Sequence, residues 1–311
     1  MKHALIGGIK SLLGPVAKQR FRIERAKYRR QEILTPQAGN DFLAKSLSAN
    51  EPLCIGKIGA AELGGLLRYE RERDSKGYCA TWGRHATMLY RNAGVYPADP
   101  EVLSRFCRVY AESIQAIDAL AVWFRLGEHR IQSRYAPRAK LLAQTAIEPY
   151  YHQRPWSRML ADKRLLVMTP FADTVRSQGL RLKEVWQAKP DVMPEVHVDV
   201  LRVPLSAGLV KPVHADWFIA LDAMTEEMAS RNFDVAIVGA GAWSLPLVAR
   251  AKQMGKWAIH LGGATQILFG IKGRRWDRNA LVMEAENDAW VRPNQGERPI
   301  TFETVEQGCY W

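Results

Sequence analysis

The stretch 233–266, FDVAIVGAGAWSLPLVARAKQMGKWAIHLGGATQ, constrains the fold more than any other part of the chain. Asp234 to Val238 is a largely β-branched apolar run that suits a strand buried on both faces. Gly239-Ala240-Gly241 then turns the chain into a short helix closed by Gly255, and a second strand from Trp257 to Leu261 ends in Gly262-Gly263. Glycine accepts positive φ and lets a ligand come close to the backbone, while the free N–H groups at the start of the following helix favour an anion. Gly239 and Gly241 are therefore candidates to cradle a phosphate, with the Ser244 hydroxyl as a further donor. Gly262, Gly263, Thr265 and Gln266 form the matching second turn. The same glycines also admit a plainer role as tight packing at strand–helix corners.

Upstream, strand and helix patterns alternate. Pro52 to Gly59 reads as a strand running into a glycine turn, and a helix begins near Ala60 with Leu63, Leu66 and Leu67 on one face. Asp99-Pro100-Glu101 is a helix start, with a capping aspartate and proline in the first turn. Strands are expected at Leu120–Phe124, Arg164–Thr169 and Val196–Val203, a capping Asp173 after the second of these, and an amphipathic helix over His214–Arg231. This alternation predicts an α/β, Rossmann-like, doubly wound and mostly parallel sheet, whose ligands sit beyond the carboxyl ends of its strands. Residues 1–35 read as a basic N-terminal segment and 36–311 as one domain, with an irregular insertion around the Arg-, Tyr- and Pro-rich stretch 125–158.

The formal net charge is +12, and much of it comes from Lys2, Lys10, Lys18, Arg20, Arg22, Arg25, Lys27, Arg29 and Arg30, opposed in that stretch by Glu24 alone. Leu5, Ile6, Ile9, Leu12 and Leu13 recur at helical spacing ahead of most of these cations. Residues 3–14 can thus lie on a membrane surface, with the basic segment behind them on anionic headgroups; a solvated basic helix is the plainer alternative. No apolar run reaches the roughly 20 residues that span a bilayer. The cations lack interleaved stacking aromatics, so nucleic acid is not expected as a partner. Cys54, Cys79, Cys107 and Cys309 are scattered, which suggests neither a zinc site nor a disulfide framework, and fits a cytoplasmic protein.

If the sheet is wound in this way, three strand ends converge: 57–62, 169–178, and 239–244 with 260–266. Glu62 falls in the first turn of a helix, where it can serve as general base or donor-site carboxylate, or simply stabilise the helix end. His260 precedes the Gly-Gly turn and can bond a phosphate or sugar hydroxyl, or be a core histidine. Lys272, Arg274, Arg275 and Trp276 gather cations and an indole behind the glycine unit, suiting a diphosphate and a stacked base, or a solvated loop.

The segments KIGAAEL, LADKRLLVMTPF and VGAGAWSLPLVARAKQMGKWAIHLGGATQILFGIKGRRW, in this order across residues 50–311, resemble the bacterial glycosyltransferase-like proteins of the GT-D fold. That family serves surface-polysaccharide and glycoprotein glycosylation. The resemblance implies hexosyl transfer from a nucleotide-sugar, a UDP-sugar in the first instance, to a glycan or lipid-linked acceptor. It also implies Mn²⁺ or Mg²⁺ held through an Arg-x-Gly-Asp-x-Glu motif. Here Lys57 replaces the Arg, Gly59 is kept, Ala60 replaces the Asp, and Glu62 alone of the two carboxylates remains.

Loss of one hard oxygen ligand predicts weak metal dependence or none, with Lys57, His260 and the Arg274/Arg275 pair neutralising the leaving diphosphate instead. The expectation is a cytoplasmic glycosyltransferase, peripheral on the inner face of the plasma membrane. Its alternative is a non-catalytic sugar-nucleotide-binding or scaffold protein of a polysaccharide assembly system. Nucleotide-dependent oxidoreduction would require an acid near 261–263 to hold the ribose, and none is present.

Overall fold

The computed structural model describes residues 14–74, 82–208 and 210–311. The apolar positions Leu5 to Leu13 and Cys79 lie outside the described residues.

The chain folds as an α/β protein around one parallel eight-stranded sheet, the Rossmann-like, doubly wound arrangement that its strand–helix alternation predicts. The strands are β1 (Ile33–Leu34), β2 (Leu53–Gly56), β3 (Ala119–Val122), β4 (Lys140–Ala143), β5 (Arg164–Thr169), β6 (His197–Arg202), β7 (Val235–Val238) and β8 (Trp257–His260), ordered β1-β4-β3-β2-β8-β7-β5-β6. Their side chains alternate between two cores. Cys54, Leu120, Leu166, Ala236 and Ala258 face one, while Leu53, Ala119, Leu165, Val235 and Trp257 face the other. Burial on both faces explains why these strands read as continuous apolar runs.

Helices cover both faces. The first core takes α3 (Ala60–Asp74), α5 (Pro100–Gln115), α9 (Trp217–Ala229) and α10 (Ser244–Gln253); α2 (Pro36–Ser48), α7 (Ala172–Gly179), α8 (Leu182–Val185), α11 (Ala264–Leu268) and α12 (Ala280–Ala285) pack on the second. The remaining helices are α1 (Pro15–Lys27), α4 (Arg84–Met88) and α6 (Glu128–Tyr135). Local signals account for several boundaries. Asp99 caps α5 by accepting from Val102 N at 2.9 Å, and Asp216 caps α9 by accepting from Phe218 and Ile219 N. Gly255, at φ 76°, lies just past the end of α10.

Two expectations change. Residues 125–158 are not an irregular insertion, because they contain α6 and β4, and β4 pairs with β3 over four residues and with β1. The strand is short and begins at an exposed lysine, so no long apolar run marks it. Asp173 is not the cap of α7, since Phe171 occupies that position; Asp173 lies in the first turn and pairs with Arg176 and Arg202. Among the described residues no helix is long and apolar enough to cross a membrane.

Candidate functional site

From β5 the chain passes outward to β6 and then back to β7 on the other side, so β5 and β7 diverge in connection. β2, next to β8, sends the chain the opposite way to β3. Such reversals open a crevice at the carboxyl ends of parallel strands. A cavity of about 230 Å³ lies there, walled by residues that follow β2, β3, β5, β7 and β8 and by the segment 305–311.

Most of the candidates meet in this wall. From β2 come Lys57, Gly59 and Glu62; from β7, Gly239 and Gly241; from β8, His260, Gly262, Gly263, Thr265 and Gln266; and Arg275 reaches it from further along the chain. The glycines are there for clearance. A Cβ on Gly59 would collide with the Glu62 carboxyl, and one on Gly239 would stand 2.7 Å from both the Gly262 carbonyl and Thr265 Oγ1. Gly241 and Gly262 have φ of 55° and 59°, a region that side chains disfavour.

Lys57 is buried, donates to the Leu261 carbonyl at 2.7 Å, and lies 5.2 Å from the centre of the Trp123 ring. Burial brings its pKa down to about 8; the charge of Glu148 opposes that shift and Arg275 adds to it. Glu62 is also buried, and its carboxyl takes no hydrogen bond from another described residue. Burial raises its pKa, assisted by the charge of Glu306 and opposed by a bond from its own backbone and by Arg125. It is therefore a stronger base than an ordinary glutamate.

His260 does not supply charge to the site. Its Nδ1 faces the Lys57 carbonyl at 3.2 Å, which requires that nitrogen to carry the proton. Burial, with the neighbouring Lys57 charge, lowers its pKa to about 3. The imidazole is neutral near pH 7, and Nε2 is left as an acceptor. Ser244 does not line the cavity. Its buried Oγ accepts from Ala240 N at 2.8 Å and so holds the Gly239–Gly241 turn from within. Arg274 points away from the cavity, over the Phe302 ring. Trp276 is buried in the second core, against Gly263 and Gly273, with no face offered to a base.

The structure adds wall residues that the sequence pattern did not single out: Trp123 and Arg125 after β3, and Glu306 and Tyr310 from the last described segment. Arg125 lies over the Trp123 ring at 5.2 Å. Arg275 pairs with Glu306 and donates to Tyr310 OH at 3.1 Å. A strand-end rule would have found Trp123 and Arg125, which directly follow an apolar strand. Nothing local marks 305–311.

Three polar atoms of the wall residues are buried without a hydrogen-bond partner: Trp123 Nε1, Thr265 Oγ1 and Gln266 Oε1. Gln266 Nε2 donates to the Tyr310 carbonyl at 2.9 Å, which fixes the amide so that Oε1 is the free end. Among the described residues no group of three or more His, Cys, Asp or Glu side chains gathers to hold a metal. The wall sets Glu62 and Glu306 among Lys57, Arg125 and Arg275, a donor set that does not fit a protein-held Mn²⁺ or Mg²⁺. Comparisons with protein-family models, with curated proteins and with solved structures give no match for this chain.

Proposed function

We propose that this cavity binds a nucleotide-sugar and transfers the sugar to an acceptor hydroxyl. One observation carries the reading: a single crevice gathers the cations Lys57, Arg125 and Arg275, the acceptor atoms of His260 and Gln266, and the buried Glu62 carboxyl in one wall. Lys57, Arg125 and Arg275 suit a diphosphate, and the Gly239 and Gly262 turns leave it room against the backbone. Gln266 Oε1 and His260 Nε2 can only accept, which suits sugar hydroxyls and disfavours phosphate oxygens. At about 230 Å³ the cavity is smaller than the roughly 300–1,000 Å³ of drug-sized sites, so part of such a donor would cover its mouth.

In this reading the acceptor oxygen bonds to the anomeric carbon as the bond from that carbon to the diphosphate oxygen breaks. The hydroxyl proton passes to Glu62. The charge that grows on the leaving diphosphate falls to Lys57, Arg125 and Arg275, without a step through a metal. The resemblance to GT-D glycosyltransferases supports the same assignment of Gly59 and Glu62, and the acceptor it suggests is a bacterial surface glycan or its lipid-linked precursor.

The test is a thermal-shift screen against UDP-, GDP-, dTDP- and CMP-sugars, each with Mn²⁺ or EDTA, because a ligand of the folded state raises the melting temperature. A selective rise that persists in EDTA, followed by release of the nucleoside diphosphate with acceptor present, is the expected result. A rise without release would make the protein a sugar-nucleotide-binding scaffold. No rise with any donor would end the proposal.

A further inference from the structure

We infer that α1 is a membrane-surface helix that docks the molecule on an anionic bilayer. Every cation from Lys18 to Arg30 is exposed: Lys18, Arg20, Arg22, Arg25, Lys27, Arg29 and Arg30. The one acid among them, Glu24, is turned inward and fully buried, where it accepts from His129 N at 2.8 Å and pairs with Lys27. Tyr28 is buried beside it and Phe21 partly so. The helix therefore has a defined inner face, and its outer face presents positive charge with no exposed carboxylate.

That outer face is not only charged. Val16, Gln19, Ile23 and Ala26 follow one another at spacings of three and four residues, which aligns them in one stripe. All four are exposed; Val16 keeps 63% of its surface and Ile23 48%. Lys18, Arg22 and Arg25 run along one flank of the stripe and Arg20 and Lys27 along the other, with Arg29 exposed in the turn just past the helix. A stripe with Val16, Ile23 and Ala26 as its apolar members, set between two rows of cations, matches the boundary of an anionic bilayer, with the aliphatic side chains below the phosphates and the cations among them. Nucleic acid would use the cations but leave Val16 and Ile23 in water, so the bilayer fits better.

The position of the helix links it to the cavity. Phe124 meets Phe21 with ring centres 5.2 Å apart and Tyr28 at 5.5 Å, and its two sequence neighbours, Trp123 and Arg125, line the cavity. The inner face of α1 thus packs on the turn that carries two wall residues, and a bilayer on its outer face lies about one helix diameter, roughly 10 Å, from that turn, within reach of a lipid-carried acceptor. Only this last step rests on the transferase reading. The surface assignment is measured without donor or acceptor, so the two fail separately.

The test is co-sedimentation of the full chain with phosphatidylcholine vesicles, with and without phosphatidylglycerol. The expected result is binding to the anionic vesicles alone. The triple variant Arg22→Glu/Arg25→Glu/Arg29→Glu should lose about 100-fold or more in partitioning. A control triple, Lys45→Glu/Lys211→Glu/Arg278→Glu, makes the same charge change at exposed positions elsewhere and should bind much as wild type. Val16→Ser/Ile23→Ser leaves every charge in place and should still weaken binding, with an unchanged melting temperature. Wild type that ignores anionic vesicles overturns the inference, as does an α1 triple that sediments like wild type or a control that loses as much. So does α1-dependent capture of an RNA homopolymer without vesicle binding.

Discussion

Glu62 and Glu128 stand at matching places above neighbouring strands: each follows a strand end, β2 or β3, within the first turn of a helix, and each is buried. Burial raises both pKa values, that of Glu128 to about 7. Their surroundings differ. Glu128 accepts from Trp123 N at 3.0 Å and from Phe124 N at 2.6 Å, and so clamps the turn that carries Trp123 and Arg125. Glu62 accepts from no other described residue and faces the cavity. Burial and a raised pKa therefore do not distinguish a carboxylate left free for a ligand from a structural one. Whether the oxygens already have donors does, since a satisfied carboxylate has little left to offer a ligand.

The comparison can be broken at its strongest point first. Glu62→Gln should lower transfer by about 10²–10⁴-fold. Its unfolding midpoint in urea should stay close to that of wild type, because no bond to another residue is lost. A large stability loss with little loss of transfer would move Glu62 to the structural class. Glu128→Ala should do the reverse at the level of folding. It strips buried N–H groups of their acceptor and should cost about 2–4 kcal/mol in urea denaturation. A variant as stable as wild type would break the comparison from the other side.

The pH behaviour sharpens the same contrast. Since the folded-state pKa of Glu128, about 7, lies above the ordinary glutamate value of 4.5, the native state holds the proton more tightly between those pH values. Its contribution is full below about pH 4.5 and is lost as pH rises through about 7, and Glu128→Gln should flatten that part of the stability profile. Lys57 shifts in the opposite direction. It is a cation only below about pH 8, so nucleoside diphosphate affinity should fall as pH rises past that value. Lys57→Met should weaken binding about 10–100-fold and abolish this pH dependence; titration calorimetry at two pH values decides.

The smallest effect is expected at Ser244. Loss of its bond from Ala240 N in Ser244→Ala should cost about 1 kcal/mol of stability and leave donor affinity within about twofold, because the hydroxyl does not reach the cavity. Affinity reduced as far as in Lys57→Met would return Ser244 to the binding set.

Much of this architecture was legible in the chain. The unit around Gly239 and Gly241, the Asp99-Pro100 helix start and the helix within His214–Arg231 each carry their signal in local chemistry: β-branched runs, clearance at glycine, a capping oxygen. β4 carried none, since four residues beginning with an exposed lysine become a strand only when β3 offers its edge. The same holds within the site. Gly59, Gly239 and Gly262 announce themselves because a turn tolerates few alternatives, whereas Arg274 and Arg275 are identical in type, adjacent in sequence and opposite in role.

By itself, then, the sequence determined the class of fold, the strand ends that carry the site, and the charge of the N-terminal segment, because periodicity and turn chemistry act over a few residues. Only the tertiary structure decided which side chains meet. It spent Ser244 on its own turn, held His260 neutral between Lys57 and burial, brought Glu306 and Tyr310 to Arg275, and buried Glu24 so that α1 shows no carboxylate to the outside. Those outcomes depend on burial and on partners distant in sequence, and desolvation and hydrogen bonding act on what lies nearby in space.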